Sequence, residues 1–274
     1  MSLGEAGPVP LLRLLANDAR WRILRELSRS DRKVQELVDI VGQPPNLVSY
    51  HLAQLRKAHL VVERRSEADA RDVYYSLDGE RLIRQVSRSV AELHPAFASI
   101  EDWSLADSPA SAWPPRTVPL PRRLLFVCSK NSARSQMAEA IARELSHGPL
   151  RFLSHGPVDV WSAGSKPTAL HPMTVEALSD LGIPMTGQRS KHFDELAGLR
   201  FDYVISLCDV TREACPTFRG EPERLHWSIP DPTLVEGSDD RVRRAFNDTA
   251  LAITVRVRQL LAHIGQERSA AGID

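Results

Sequence analysis

A cysteine and an arginine six positions apart form the most specific chemical pattern in the sequence. Cys128 follows an apolar run, and Arg134 and Ser135 open a helical pattern, which gives the spacing C-x5-R-S. A loop of this length between a strand and a helix can direct successive backbone N–H groups to one centre, while the helix N-terminus and the guanidinium add positive charge. The pattern predicts a site for a tetrahedral oxyanion with Cys128 as its nucleophile. The predicted oxyanion loop consists of Ser129, Lys130, Asn131, Ser132 and Ala133.

The surroundings that bind an oxyanion also stabilise a thiolate. We therefore expect the pKa of Cys128 to be lowered, so that its sulfur is nucleophilic at neutral pH. Ser135 is placed to donate a hydrogen bond to that thiolate.

A leaving oxygen needs a general acid, and Asp231 is the best candidate in the sequence. It lies between Pro230 and Pro232, which restrict the backbone of its loop. Taken alone, an Asp-Pro pair usually marks only a turn.

Two further cysteines, Cys208 and Cys215, lie seven positions apart just after an apolar run. With Cys128 they make up the three cysteines of the chain, and all three lie beyond residue 120. In a reducing compartment such a set is not a structural disulfide framework, so the thiols are expected to be catalytic, redox-active or simply buried.

The C-terminal half of the chain alternates between strand and helix patterns. We predict strands over 123–127, 158–162 and 203–207, and helices over 135–146, 172–181 and 240–263. Strands separated by helices imply a parallel sheet covered on both faces, which is an α/β three-layer domain.

The N-terminal part is mainly helical and ends in a hairpin. We predict helices over 11–27, 34–41, 46–58 and 80–93, and strands over 60–65 and 73–77. This order is typical of a winged helix-turn-helix domain, whose third helix enters the major groove of operator DNA. The candidate DNA contacts are Asn46, Ser49, Tyr50, His51, Gln54 and Arg56 on that helix, and Arg64, Arg65 and Arg71 on the hairpin.

Six prolines between residues 95 and 121 predict an extended linker. We accordingly divide the chain into a winged helix-turn-helix domain (1–97), a Pro-rich linker (98–121) and an α/β domain (122–274).

Composition agrees with this division. The chain has 274 residues, of which 42% are hydrophobic, as expected for about two globular domains. Lys+Arg and Asp+Glu both total 35, whereas residues 11–95 hold 15 basic and 12 acidic residues, a mildly basic balance that fits a nucleic-acid partner. No apolar run approaches the ~18 residues that span a bilayer, and the first ten residues lack the order of a signal peptide. We therefore expect a cytoplasmic protein without a membrane partner.

Residues 10–95 resemble the ArsR/SmtB family of bacterial metalloregulators. The stretch LVSYHLAQL at 47–55 is close to the family's S-x-H-L-x-x-L recognition helix, and AHLV at 58–61 also fits. The resemblance implies a homodimer, formed through this domain, that leaves DNA when a metal or metalloid binds. The sequence departs from the family because this part has no cysteine, so the thiolate site of arsenic-sensing members cannot be built. Only Glu92 and His94 are available for a zinc site, and we predict no metal site here.

Residues 122–265 resemble the low-molecular-weight protein tyrosine phosphatase fold, whose acid loop also carries Asp-Pro. A phosphatase has no use for the pair of Cys208 and Cys215. Together with Cys128 the pair instead resembles the thioredoxin-coupled arsenate reductases, which share the phosphatase fold. Further stretches agree with this resemblance, namely SAG at 162–164, GIP at 182–184, RSK at 189–191 and HW at 226–227.

The oxyanion loop departs from these reductases at two positions. Lys130 and Ala133 replace a commoner glycine and cysteine, and Lys130 could alter the oxyanion preference. The same alignment implies that Asn131 and Glu139 help to position the loop.

The resemblance also implies a mechanism. Cys128 attacks arsenic(V), and Asp231 protonates the departing hydroxide. Cys208 then attacks the sulfur of Cys128 and expels arsenite, and Cys215 resolves the disulfide to Cys208–Cys215. A helix would hold these last two thiols too far apart, so the segment between them has to rearrange. No tightly bound cofactor is implied; the reductant is thioredoxin or a low-molecular-weight thiol.

Two other readings stay open. In the first, the enzyme is a phosphatase that acts, for example, on phosphotyrosine. In the second, the chain is a transcription factor whose second domain is only a sensor that binds an oxyanion or arsenite. The Cys208/Cys215 pair argues against the first. The complete set of Cys128, Arg134 and Asp231 argues for turnover, although it does not exclude sensing.

Overall fold

The computed structural model describes residues 8–92, 122–147, 157–185 and 187–270. The chain divides into two compact units, residues 1–116 and 117–274, and each is considered by itself. The predicted linker and His94 lie outside the described residues.

The N-terminal unit has five helices and three strands among its described residues. They are α1 (Pro8–Leu15), α2 (Asp18–Leu27), β1 (Arg32–Lys33), α3 (Val34–Val41), α4 (Pro45–Lys57), β2 (Val61–Arg65), β3 (Val73–Leu77) and α5 (Gly79–Ala91). β2 and β3 form the predicted antiparallel hairpin, and β1 pairs with the other edge of β3. Leucines from α2, α3 and α4, such as Leu24, Leu37 and Leu52, form its buried core.

The predicted first helix, residues 11–27, is wrong because the chain forms two helices there. The side chain of Asn17 caps α2 by accepting a hydrogen bond from the Arg20 amide at 3.1 Å. The Arg20 guanidinium also donates to the Leu14 carbonyl at the end of α1. Asparagine favours the N-cap position over a helix interior, and this local preference outweighs the continuous apolar spacing.

The C-terminal unit is an α/β domain. Its elements are β4 (Arg122–Cys128), α6 (Arg134–His147), β5 (Val158–Gly164), α7 (Pro172–Asp180), β6 (Tyr203–Ser206), α8 (Asp209–Ala214), β7 (Glu223–His226) and α9 (Asp239–Ala270). The sheet has the order β5-β4-β6-β7, and every pair is parallel. The predicted three-layer α/β fold is confirmed, whereas α8 and β7 were not predicted.

The two faces of the sheet pack against separate hydrophobic clusters. Leu124 and Phe126 face a cluster that α6 and α9 complete, while Leu125 and Val127 face a cluster rich in phenylalanine. This alternation is the period of a strand that is buried on both sides. Because the strands are parallel, the carboxyl ends of β4 and β6 meet at one edge, where Cys128 and Cys208 stand. In the described part of the chain, no helix combines the length and the apolar character needed to cross a membrane.

Candidate active site and DNA-binding surface

Hydrogen bonds from residues 166–171 hold the loop between β4 and α6 in place. The backbone amides of Lys166, Thr168 and His171 donate to loop carbonyls at 2.9–3.0 Å. Asn131, in the middle of the loop, has a φ of 47°, the left-handed conformation that occurs in anion-binding turns. The sequence therefore builds the loop as a rigid turn directly after Cys128.

Gly164, the last residue of β5, allows this loop to lie on the sheet. A Cβ at this position would stand 2.7 Å from the Ser129 carbonyl oxygen, 2.8 Å from that of Cys128 and 2.9 Å from the Asn131 amide. All three contacts are with backbone, which cannot turn aside as a flexible side chain can. Only glycine fits here without displacing the loop.

Hydrogen bonds from Asn131 fix the proton of the Ser135 hydroxyl. The buried Asn131 amide group donates to Ser135 Oγ and to Ser162 Oγ, both at 2.9 Å. Since Ser135 Oγ accepts from Asn131, its own proton is directed to Cys128 Sγ, 2.9 Å away. Asn131 thus orients the hydroxyl that donates to the Cys128 sulfur.

Glu139 on α6 belongs to the same hydrogen-bond network. Its carboxylate is buried, accepts from Ser162 Oγ at 2.5 Å and pairs with Arg143 at 2.5 Å. Lys191 lies 3.5 Å from this carboxylate and also donates to the Ser162 carbonyl at 3.0 Å. Asn131 and Glu139 thus both contact Ser162 Oγ, and their role in positioning the loop stays a prediction. Lys191 and Ser162 lie in stretches noted for that resemblance, yet nothing in their spacing indicated these contacts.

The Cys128 thiol itself is buried. Burial raises its pKa, while the charge of Arg134 and the Ser135 hydrogen bond oppose the rise. The predicted lowering is therefore wrong for this arrangement. The desolvation of the thiolate outweighs its stabilisation by Arg134 and Ser135. The Arg134 guanidinium is also paired with the carboxylate of an acid.

That acid is Asp231, the predicted general acid. Arg134 donates to Asp231 Oδ2 at 2.8 Å and to the Ile229 carbonyl at 2.7 Å. Asp231 is held further by the amide and hydroxyl of Thr233, at 3.0 and 2.8 Å. The fold thus brings Asp231 to the oxyanion loop across 97 residues of sequence. An oxyanion that occupies the Arg134 fork competes with this carboxylate.

Cys208 also lies at the loop. Its buried thiol donates to Thr211 Oγ1 at 2.9 Å and is 3.3 Å from Ser129 Oγ, the residue next to Cys128. The structure therefore brings the second predicted thiol to the oxyanion loop. Thr211 was not predicted, although its position three residues after a helix-capping cysteine could have indicated it.

A buried carboxylate holds the start of α8 immediately after this thiol. Asp209 Oδ1 is 3.0 Å from His226 Nε2 and accepts from Ser228 Oγ at 2.7 Å, and His226 Nδ1 is 2.9 Å from Ser206 Oγ. The network ties α8 to the ends of β6 and β7, and so fixes the position of Cys208. Sequence reasoning missed it, because the partners come from separate elements.

Cys215 stands apart from the other two thiols. It is the residue that ends α8, and it packs against the cluster on the opposite face of the sheet. Burial raises the pKa of its thiol, and the charge of Arg224 opposes this. At about 1.5 Å of rise per residue, α8 places the Cα atoms of Cys208 and Cys215 roughly 10 Å apart. A disulfide needs less than about 7 Å, so the pair cannot form unless α8 unwinds.

The predicted DNA-contacting residues of α4 differ in their exposure to solvent. Asn46, Ser49, Tyr50 and Arg56 are exposed, and Gln54 is half-buried. His51 is only 6% exposed, and its expected role as a DNA contact is wrong in this structure. Its position completes the inward stripe of Val48, Leu52 and Leu55, which recur at helical spacing. Burial, together with the charge of Arg20, lowers the pKa of His51.

Of the hairpin arginines, Arg65 and Arg71 are exposed and Arg64 is half-buried. Arg64 pairs with Glu67 at 3.5 Å, and Arg71 with Asp69 at 2.7 Å. Arg65 is exposed and donates to the Ala70 carbonyl at 3.4 Å. On α4, Arg56 pairs with Glu63 of β2 at 2.7 Å. Phosphate contacts by these arginines would exchange weak surface ion pairs for new ones.

Comparisons with known proteins follow the two units. Residues 17–62 match the model of the bacterial regulatory protein family arsR, and residues 123–270 match that of the low molecular weight phosphotyrosine protein phosphatases.

An arsenate reductase of Halalkalibacterium halodurans is 31% identical over 135 residues, which are 49% of this chain and 91% of that protein. One of Bacillus cereus strain AH187 is 32% identical over 123 residues, 44% of this chain and 86% of that protein. The solved structure of an arsenate reductase in the phosphate binding state is 27% identical and covers 52% of this chain and 98% of that one, with a TM-score of 0.40. The chain belongs to the low molecular weight phosphotyrosine protein phosphatase family, in the arsenate-reductase-like form, and carries an arsR-family helix-turn-helix domain ahead of it.

Proposed function

We propose that the chain is a bifunctional arsenic-resistance protein, in which a DNA-binding regulator is fused to an enzyme that reduces arsenate to arsenite. The observation that carries the enzymatic part is the second buried thiol at the oxyanion loop, since Cys208 Sγ lies 3.3 Å from the hydroxyl of Ser129. A phosphatase needs only one thiol, on which a phosphoryl group is bound and then hydrolysed. A reductase needs a second thiol within reach of the first.

The reaction then runs in two steps. Cys128 thiolate displaces hydroxide from arsenic(V), and Asp231 supplies the proton that turns the leaving group into water. Cys208 next attacks Cys128 Sγ, and the electron pair of the sulfur–arsenic bond moves to arsenic. Arsenic leaves as arsenite(III), and the two thiols are oxidised to a Cys128–Cys208 disulfide.

Cys215 completes the cycle by thiol–disulfide exchange. Its thiolate attacks Cys208, which releases Cys128 and leaves a Cys208–Cys215 disulfide for an external dithiol to reduce. Because α8 keeps these two residues apart, unwinding of Asp209–Ala214 is part of this step. The unwound segment also exposes the new disulfide to its reductant, for which we propose thioredoxin or a low-molecular-weight thiol. This chemistry requires a reducing compartment, and we place the protein in the cytoplasm.

The test compares wild type with Cys208→Ser in arsenate-dependent NADPH oxidation with thioredoxin and thioredoxin reductase. We expect multiple turnovers in wild type and none in the variant, while hydrolysis of p-nitrophenyl phosphate persists in both. Cys215→Ser is the matched control and should stop after one arsenite per chain, with the Cys128–Cys208 disulfide trapped. Phosphate-ester hydrolysis without arsenate turnover in wild type would favour a phosphatase. Loss of both activities in Cys208→Ser would contradict the assigned roles.

For the regulatory part we propose binding of operator DNA by a homodimer. The exposed positions of Asn46, Ser49 and Tyr50 at the start of α4 support a groove contact.

Exposed apolar side chains on the adjacent helices α1 and α5 support the dimer, among them Leu12 (57% exposed) and Ile83 (65%). Sedimentation equilibrium should give a dimer for wild type and a monomer for Ile83→Glu. An unchanged mass would place the dimer contact elsewhere. We propose that the winged helix-turn-helix domain spans residues 1–97, the linker 98–121 and the α/β domain 122–274.

A further inference from the structure

A second group of donor atoms lies at the other end of the C-terminal unit, away from Cys128. Glu223 begins β7, and His263 and Glu267 are one turn apart on α9. One ligand atom of each residue lies within 4.8 Å of the other two. Glu223 pairs in register with Tyr203, the first residue of β6, so the group is at the starting edge of the parallel strands. Cys128 ends β4 at the opposite edge, and the catalytic steps use none of these residues.

The distance between two of the ligand atoms fits the first coordination shell of a small divalent ion. His263 Nε2 lies 3.2 Å from Glu267 Oε1. Two ligands of a tetrahedral zinc ion, each about 2.0–2.1 Å from the metal, are themselves about 3.4 Å apart. A histidine and a glutamate at positions i and i+4 of one helix present their ligand atoms to the same side. The ligand atom of Glu223 lies within 4.8 Å of the other two, so this side chain has to move closer to share one centre with them.

A neighbouring hydrogen bond orients one of the three ligands. The Tyr203 hydroxyl donates to Oε2 of Glu267, which leaves Oε1 directed to His263. His263 Nε2 is shielded from solvent and forms no hydrogen bond with the described residues, even though Oε1 is near. Ligand carboxylates in metal sites are commonly held through their second oxygen in this way. A metal ion at the common centre would bind the lone pair of this ring nitrogen in place of its ion-pair contact with Glu267 Oε1.

We propose that Glu223, His263 and Glu267 bind one Zn²⁺ ion, which joins the last turns of α9 to the edge strand β7. An imidazole with two carboxylates suits zinc better than Mg²⁺ or Ca²⁺, which prefer oxygen ligands alone. Three protein ligands leave the fourth position to water. The ion crosslinks two elements that are 40 residues apart in sequence, the separation of Glu223 and His263, and stabilises the folded unit by its binding free energy.

The test removes the thiols first, because cysteines bind zinc strongly. Full-length protein with Cys128, Cys208 and Cys215 all changed to serine is stripped with a chelator and titrated with ZnCl2 by calorimetry. We expect one ion per chain and a rise in the melting temperature. Glu223→Gln and His263→Gln, each made in the same background, should weaken binding at least tenfold and abolish that rise. His192→Gln, a half-exposed histidine on another loop, is the matched control and should bind as the parent does.

Cobalt substitution reads the ligands independently of stability. Co²⁺ in the serine background should give the visible bands of a tetrahedral site with nitrogen and oxygen ligands, and these bands should be lost in His263→Gln. Circular dichroism verifies that each variant is folded. No stoichiometric binding in the parent, or equal binding in folded Glu223→Gln and His263→Gln, would overturn the proposal. Arsenate turnover takes no part in these measurements, so their outcome is separate from that of the proposed function.

Discussion

At the scale of single residues, the proposed nucleophilic role of Cys128 depends on where the hydroxyl proton of Ser135 points. Asn131 donates to Ser135, and this leaves the Ser135 hydroxyl proton to the sulfur. The same sulfur is buried, which raises its pKa. A hydrogen bond to a charged group contributes about 1.5–3 kcal/mol, enough to change the thiolate population by roughly tenfold to 100-fold. Ser135 therefore offsets part of the cost of burial.

We predict that Ser135→Ala raises the pKa of Cys128 further. The thiolate fraction grows as pH rises, so alkylation of Cys128 should increase with pH, and in the variant the whole curve should move to higher pH. The measurement is the pH profile of iodoacetamide labelling of Cys128 in a Cys208→Ser/Cys215→Ser background. At neutral pH, labelling and p-nitrophenyl phosphate hydrolysis should fall roughly tenfold to 100-fold. Ser146→Ala, at the far end of α6, is the control. A profile that does not move would show that Ser135 has no role in stabilising the thiolate.

The raised pKa also has a consequence for stability. A thiol whose pKa is higher in the folded state contributes stability below the pKa of the unfolded chain, and this contribution is lost as pH rises through the folded-state value. Ionisation of Cys128 therefore favours unfolding at alkaline pH, in the direction opposite to catalysis.

At the scale of elements, the loop depends on the close packing of β5. We predict that Gly164→Ala displaces the oxyanion loop, because its Cβ would lie 2.7–2.9 Å from three backbone atoms. Overpacking of this kind costs about 1–3 kcal/mol, and urea unfolding should show a loss of that size. Activity should fall further than stability, since a shift of about 1 Å in a positioned group can cost roughly 100-fold in rate.

Gly198→Ala supplies the matched control for this change. A Cβ at Gly198 meets nothing within 4 Å, so both stability and activity should stay close to those of wild type. If Gly164→Ala had wild-type turnover, the loop would have to be far more deformable than its hydrogen bonds indicate.

The elements also show how far the sequence alone could go. The cysteine loop was predictable because a strand pattern and a helix pattern flank it at a fixed spacing. β7 was missed because Glu223–His226 is short, and its Glu-Arg-Leu-His sequence has no apolar run. The pairing of Arg134 with Asp231 was not accessible either, since tertiary packing alone sets it.

His51 illustrates the same limit on α4. A family pattern placed it among possible DNA contacts, while its spacing from Val48 and Leu55 gives it an inward position. Periodicity, applied to that residue as strictly as to the leucines, would have assigned it to the core. Resemblance predicts which residue types recur, and helical geometry decides which way they point.

At the scale of the whole molecule, the chemistry of thiols and the candidate DNA contacts belong to different units. All three cysteines lie beyond residue 120, and the candidate DNA contacts lie between residues 46 and 71. Any effect of arsenite on DNA binding therefore has to begin at Cys128, Cys208 or Cys215, or else at a site without thiols. Because they belong to different units, the two proposed activities can be tested independently in one full-length chain.

We predict that the variant with serine at Cys128, Cys208 and Cys215 binds DNA as wild type does, within about twofold, because all three cysteines belong to the C-terminal unit, whereas α4 and the hairpin belong to the N-terminal unit. The DNA is a duplex selected by enrichment with the wild-type chain, and affinity is measured by fluorescence anisotropy at fixed salt. Tyr50→Ala should weaken binding about tenfold, as loss of a groove contact worth about 1–3 kcal/mol would. If arsenite releases wild-type protein from DNA, that release should disappear in the serine variant. Release that persists without cysteines would require a sensing site within the N-terminal unit, whereas weakened binding without arsenite would mean that the C-terminal thiols support the DNA-binding form of the chain.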